Sequence, residues 1–230
     1  MDSTDLSSGR VESALRGGVT KERILDAAEH LFAEHGFAAT SLRKITAAAQ
    51  VNLASVNYHF RSKESLIVAV LIRKMSPINA RRIELLDAAE KRAGEGPLML
   101  EDVLDAFVGP VLRARQEGGE ASNFPKLLGR VYTEPGDWVA RIFPQALGEV
   151  AARFRVAFLK ALPASEFVDA MWSMHFAIGS LAHYLAAPAL LSFLLQEEAA
   201  TLDVEVVQAR LVRFMAGGMR ALAAKKEAAG

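Results

Sequence analysis

The chain has 230 residues, enough for one large domain or two small ones around a sizeable core. Hydrophobic residues make up 51%, which argues against disorder, and 27 basic residues balance 27 acidic ones, so any nucleic-acid surface must be local. There is no cysteine, which excludes disulfides, thiol nucleophiles and cysteine-ligated metals and fits a reducing cytosol.

The first residues, MDSTDLSSGRVESALRGG, lack the apolar run of a signal peptide. They read as a flexible polar arm over 1–19, in which Arg10 and Arg16 meet either solvent or DNA phosphate. A first helix is expected over 21–34, capped by Thr20, with Ile24, Ala28, Leu31, Phe32 and His35 on one face and Gly36 ending it. A second helix is expected from Ser41 to Ala49, capped by Thr40, with Leu42, Ile45 and Ala49 inward. A short third covers Leu53 to His59. A fourth starts after Ser62 and runs through Leu66, Ile67, Val70 and Leu71.

The run AGEGP over 93–97 is a break. Beyond it, helices are expected over 98–116, 122–133, 137–161, 165–186 and 204–224. No run alternates apolar and polar residues as a half-buried strand does, and the pattern is all-α. From Met171 to Leu195 there is no Asp, Glu, Lys or Arg, long enough to span a bilayer. His175, His183 and Pro188 interrupt that run, and no basic cluster flanks it, so it reads as a helix buried in a core or an oligomer interface.

Function is concentrated in residues 40–60: a helix, the turn Gln50-Val51-Asn52 and a short second helix. That is the length of a helix-turn-helix, whose second helix enters the major groove. The second helix offers Asn52, Ser55 and Asn57, short side chains able to approach base edges, while Val56 and Phe60 face inward. Between Thr40 and Met75 the basic residues Arg43, Lys44, Arg61, Lys63, Arg73 and Lys74 face one acid, Glu64, a local net charge of +5. Phosphate contact needs such a patch. With Ser62 as cap, Lys63 sits in the first helical turn, where a cation opposes the helix dipole unless an anion binds there. Tyr58 and His59, at the end of the second helix, are further phosphate donors.

Residues 23–67, RILDAAEHLFAEHGFAATSLRKITAAAQVNLASVNYHFRSKESLI, resemble the DNA-binding domain of tetracycline-repressor-type regulators. The resemblance rests on Ile24, Ala27, Ala28, Phe32, Gly36, Thr40, Ile45, Ala48, Val51, Tyr58, His59, Phe60, Lys63 and Leu66. Gln50 departs from the usual turn glycine and must avoid a positive φ or tolerate its strain. Ala54 stands where glycine or another small residue is common and Asn57 where an aromatic is common, and these positions bear on operator sequence rather than fold. The run VNLASVNYHF, with pieces of the C-terminal half, is similar to the fatty-acid-responsive PsrA-like repressors.

The resemblance implies a three-helix DNA-binding domain over 20–67, a helical effector-binding and dimerisation domain over 68–225, and a tail over 226–230. It implies a cytoplasmic homodimer that binds a palindromic DNA operator and is released by a small apolar effector, a fatty acid or acyl-CoA. DNA contacts are assigned to Thr40, Ser41, Arg43, Asn52, Ala54, Ser55, Asn57, Tyr58, His59 and Lys63. The effector is assigned to Phe107, Val111, Leu128, Arg130, Met171, Met174, His175 and Ile178. The subunit contact is assigned to Gly179, Ala182, His183, Leu211, Phe214, Met215 and Met219. No cofactor, metal or membrane partner is expected. No His-Glu-x-x-His, Gly-x-Ser-x-Gly or phosphate-loop motif occurs, so no enzyme is expected. A helical interaction protein without specific DNA binding would leave the basic patch and Lys63 unexplained.

Overall fold

Three short polar side chains start three successive helices. Ser41 caps α2 (Leu42–Ala49) by accepting from Lys44 N, and Asn52 caps α3 (Leu53–Phe60) by accepting from Ser55 N. Ser62 caps α4 (Lys63–Ala93) by accepting from Ser65 N. Each such cap satisfies an orphan amide and contributes about 1 kcal/mol. The structure, a computed structural model, describes residues 5–118, 123–133, 138–196 and 203–224. The described residues form helices without strands.

α1 (Asp5–His35) is longer than expected. The arm expected over 1–19 is helical from Asp5, and Thr20 lies inside the helix rather than at its cap. No proline interrupts the segment, and Gly17 and Gly18 face open space, where they weaken the helix without breaking it. Gly36 then takes φ 83° and ends α1, as expected. The cap expected of Thr40 belongs to Ser41, because Thr40 is fully buried and its hydroxyl turns back to α1, 2.7 Å from Gly36 O.

Two cores share one long helix. Leu66, Ile67, Val70 and Leu71 of α4 pack with Ile24, Phe32, Ile45, Val56 and Phe60 in the first core. Further along, Met75, Ile78, Leu86 and Ala89 pack into the second. α4 crosses the domain boundary expected at 67–68 without a break and is continuous until Gly94, at φ 56°. Pro77 inside α4 lacks the amide that would reach back one turn.

The second core is built on α5 (Leu100–Gly118), buried continuously from Ala106 to Leu112. Around it stand α4, α7 (Trp138–Ala161) and α10 (Val204–Ala223), with α8 (Phe167–Ala186) against α7 and α10. The apolar run from Met171 divides at Ala187 into α8 and the short α9 (Pro188–Leu195). No helix among the described residues is long and apolar enough to cross a membrane.

α6 (Phe124–Thr133) bridges the two halves. Its Leu127 and Val131 are buried in the first core, while the helix also packs on α8. Lys126 donates to the Glu34 carboxylate, and Arg130 Nη2 donates to Glu34 O at 3.1 Å. The Lys126 hydrogen bond, then its charge, holds the Glu34 carboxyl below its ordinary 4.5, with smaller pulls from His30 and His35. A depressed folded pKa contributes stability above the unfolded value, lost as pH falls through the folded one. Melting temperature measured against pH should therefore fall more steeply below pH 4.5 in the natural protein than in Lys126→Met.

Candidate functional site

α3 offers one face to solvent and one to the core. Leu53, Ala54, Asn57 and Tyr58 are exposed, Tyr58 at 84%, while Val56 and Phe60 are buried as expected. Spacings of one, four and five residues place the exposed four on one side of a helix. The Tyr58 and His59 rings meet edge to face, 5.1 Å apart.

Several assigned residues use their side-chain oxygens inside the domain. Asn52 Oδ1 accepts from Ser55 N at 2.7 Å and Ser55 Oγ at 2.9 Å, so that oxygen serves the cap while the exposed Asn52 Nδ2 keeps its two donors. Thr40 is fully buried, and Ser41 Oγ accepts from Lys44 N at 3.3 Å. The sequence pattern missed Leu53. It is 43% exposed on the first turn of α3, suited to apolar contact with a thymine methyl. Helical spacing hid it, because Leu53, Val56 and Phe60 stand at i, i+3 and i+7 and read as one inward face.

The basic patch is smaller than its formal +5. Arg73 forks to Glu22, Asp26 and Glu29 of α1 at 3.0, 2.8 and 2.7 Å. Lys74 pairs with Glu29 at 2.8 Å. These two cations lock α4 to α1. The remaining cations are Arg43 and Arg61, both exposed, Lys44, which reaches Ala39 O, and Lys63. Lys63 Nζ donates to Ala38 O at 3.3 Å, which holds it beside the first turn of α4 while leaving two ammonium hydrogens for an anion.

The turns around α3 carry strain. Gln50 adopts φ 53°, ψ 46°, tolerating the left-handed conformation without glycine. Arg23 Nη2 holds it, donating to Gln50 O at 3.2 Å and Oε1 at 3.3 Å. Arg61 sits at φ 64°, ψ −42°, a region unfavourable to any side chain. Such residues cost about 1–3 kcal/mol, partly offset in a glycine by lost chain entropy. Arg61→Gly is expected to raise stability by about 0.5–1 kcal/mol, read by denaturant unfolding, while lowering DNA affinity because one exposed cation is gone.

In the second core, a cavity of about 70 Å³ lies between α4, α5, α7 and α8. Phe107, Val111, Met174 and Ile178 line it, as assigned, with Met75 and Phe154 added. Arg82 is the one charged residue of that lining, 5% exposed, donating to Phe107 O at 2.9 Å and Asn79 Oδ1 at 3.3 Å. Arg130 is not there, being tied to Glu34, and Met171 and His175 are outside the lining. The Leu128 side chain lies outside the described residues.

The assigned subunit contact divides in two. Gly179, His183 and Phe214 are exposed and Leu211 is half-buried, but Ala182, Met215 and Met219 are buried within the subunit's own core. The exposed face instead includes Trp172 and Phe176 of α8 and Leu222 of α10. Trp172 and Phe176 stack 5.5 Å apart, and Gly179, Gly217 and Gly218 leave open space beside them along the two helices. α8 is apolar on most of its circumference, so periodicity alone did not separate its inner and outer faces.

A short exposed helix, set across a tight turn from a capped partner and flanked by free cations, defines the helix-turn-helix regulators as a class. The family described as bacterial regulatory proteins, tetR family, matches residues 24–70, and the tetracyclin repressor-like C-terminal domain matches residues 105–218. The chain belongs to the tetR family. The HTH-type transcriptional regulator UidR of Escherichia coli (strain K12) is 36% identical over 62 residues, covering 27% of this chain and 32% of that relative's length. FadR from Bacillus subtilis, solved in complex with stearoyl-CoA, shares the fold at TM-score 0.61 and 14% identity, over 86% of this chain and 98% of that one. FadR from Bacillus halodurans, a fatty acid degradation regulator, does so at 0.60 and 15%, over 87% and 96%.

Proposed function

We propose that the protein is a homodimeric repressor that binds a palindromic operator through α3 and is released by a small apolar effector. The observation that carries this reading is the exposed face of Leu53, Ala54, Asn57 and Tyr58, with Arg43, Arg61 and Lys63 beside it. α3 enters the major groove. Asn57 reads a base edge, and Tyr58, Lys63 and Arg43 hold phosphates. The exposed apolar faces of α8 and α10 pair with those of a second copy. Two recognition helices then meet half-sites about 34–36 Å apart.

The effector enters the cavity between α4, α5, α7 and α8. A long-chain fatty acid or its acyl-CoA suits that apolar lining. A ligand pocket usually offers about 300–1,000 Å³, so an effector must part these helices. α8 carries the displacement to α6, and α6 is buried in the DNA-binding core. A coupling of about 1–3 kcal/mol is enough to release DNA.

Fluorescence anisotropy on labelled upstream DNA tests both halves of the proposal. Lys63→Ala should weaken binding on every duplex and lower the salt slope by about 1, whereas Asn57→Ala should change sequence preference. Palmitate or palmitoyl-CoA should lower operator affinity by about 5–150-fold. If neither lipid changes affinity, the effector reading is wrong while the operator reading stands.

A further inference from the structure

On the opposite side of α5 from the apolar cavity, an open groove of about 780 Å³ runs between α4, α5 and α10. Its volume lies in the range of small-molecule sites, about 300–1,000 Å³, and its chemistry is unlike that of the cavity. Pro77, Ile78 and Leu85 of α4 and Pro110 of α5 give it an apolar wall.

The polar end lies over Gly109. A Cβ at that position would stand 2.7 Å from Arg113 Nη1 and 2.9 Å from Gln208 Oε1, so only glycine lets these two heads converge. Gln208 Nε2 donates to Asp105 Oδ1 at 2.8 Å, which fixes the amide with its oxygen on the other side. That oxygen is buried and has no hydrogen-bond partner among the described residues. A buried acceptor left without a partner is costly and calls for a donor. Arg113 is exposed and forms no ion pair among the described residues, in contrast to Lys74, Arg81 and Arg92, which pair with Glu29, Glu84 and Asp102.

One place therefore holds a free guanidinium, an acceptor that needs a donor, a carboxylate beside it and an apolar wall. We propose that this groove is a second ligand site, for an α-amino acid with an apolar side chain. The ligand carboxylate pairs with Arg113, its ammonium donates to Asp105 and, once the Gln208 amide turns toward the groove, to Gln208 Oε1, and its side chain lies against Pro77, Ile78 and Pro110. A simple carboxylate fits less well, because Asp105 would repel it. A simple amine leaves Arg113 unsatisfied. The site is separate from the apolar cavity and does not depend on the effector proposed there.

The probe is L-phenylalanine, titrated into the full-length protein by calorimetry, with 3-phenylpropionate (no ammonium) and phenethylamine (no carboxylate) as comparisons. Saturable millimolar or tighter binding of L-phenylalanine is expected, at least tenfold tighter than either comparison. Arg113→Gln should lose that binding at least tenfold. Met174→Ala, in the other cavity, should keep it. No saturable binding, equal binding of the comparisons, or binding indifferent to Arg113→Gln would overturn the proposal. Circular dichroism melting of each variant shows that a loss is not unfolding.

Discussion

Phe154→Ala is expected to destabilise the protein by about 3–5 kcal/mol. Phe154 is fully buried, with its ring 5.2 Å from that of Phe107 and 6.2 Å from that of Phe158. It also lines the cavity between α4, α5, α7 and α8, so truncation removes packing and enlarges a hole already present. The hole is mostly apolar, and apolar holes of that kind stay dry and take up small hydrocarbons. Urea unfolding should show a lower midpoint at an unchanged slope. Benzene should raise the melting temperature of Phe154→Ala and not that of the natural protein. A cost below about 1 kcal/mol would mean that the surrounding helices collapse freely into the space.

The second large effect is expected at Arg73. Its guanidinium holds Glu22, Asp26 and Glu29, and the Glu29 side chain is only 10% accessible. Arg73→Ala leaves three carboxylates on one helix, of which Lys74 pairs with Glu29. Removing one partner of a buried pair costs about 3–5 kcal/mol. Arg73 itself is 26% exposed, and water recovers part of that loss, so about 2 kcal/mol is expected. Arg73→Lys should recover only part of it, because an ammonium cannot fork to several carboxylates. No loss in Arg73→Ala would show the cluster to be screened by solvent. Because Lys74 is spent on Glu29, Lys74→Ala should leave the salt slope of DNA binding unchanged, unlike Lys63→Ala.

Legibility followed periodicity and caps. Gly36 and Gly94 ended helices where the sequence marked a stop, and the inward positions Ile45, Val56 and Phe60 were readable from helical spacing. Residues with two possible uses were not readable. Thr40, Asn52 and Ser55 look like polar residues facing DNA, yet Thr40 Oγ1 donates to Gly36 O and Asn52 Oδ1 accepts from both Ser55 N and Ser55 Oγ. Arg73 and Lys74 look like phosphate ligands until α1 is laid against α4. Arg130 looked like a pocket residue because nothing in the sequence reveals that α6 folds back onto the first core. Met215 and Met219 looked like subunit contacts because α10 has apolar residues on both its inner and outer faces. These outcomes depend on contacts between elements distant in sequence.

The most direct test of the account is selection of bound sequences from a random duplex library by the natural protein and by Asn57→Ala, each at two salt concentrations. The expected result is an inverted repeat whose half-sites are separated by about one helical turn, 10–10.5 base pairs, or a multiple of it. Binding should weaken steeply with salt, and the motif should be altered at one symmetric pair of positions in Asn57→Ala. No enriched motif, or the same motif from both proteins, would contradict the assignment of α3 as the reading helix.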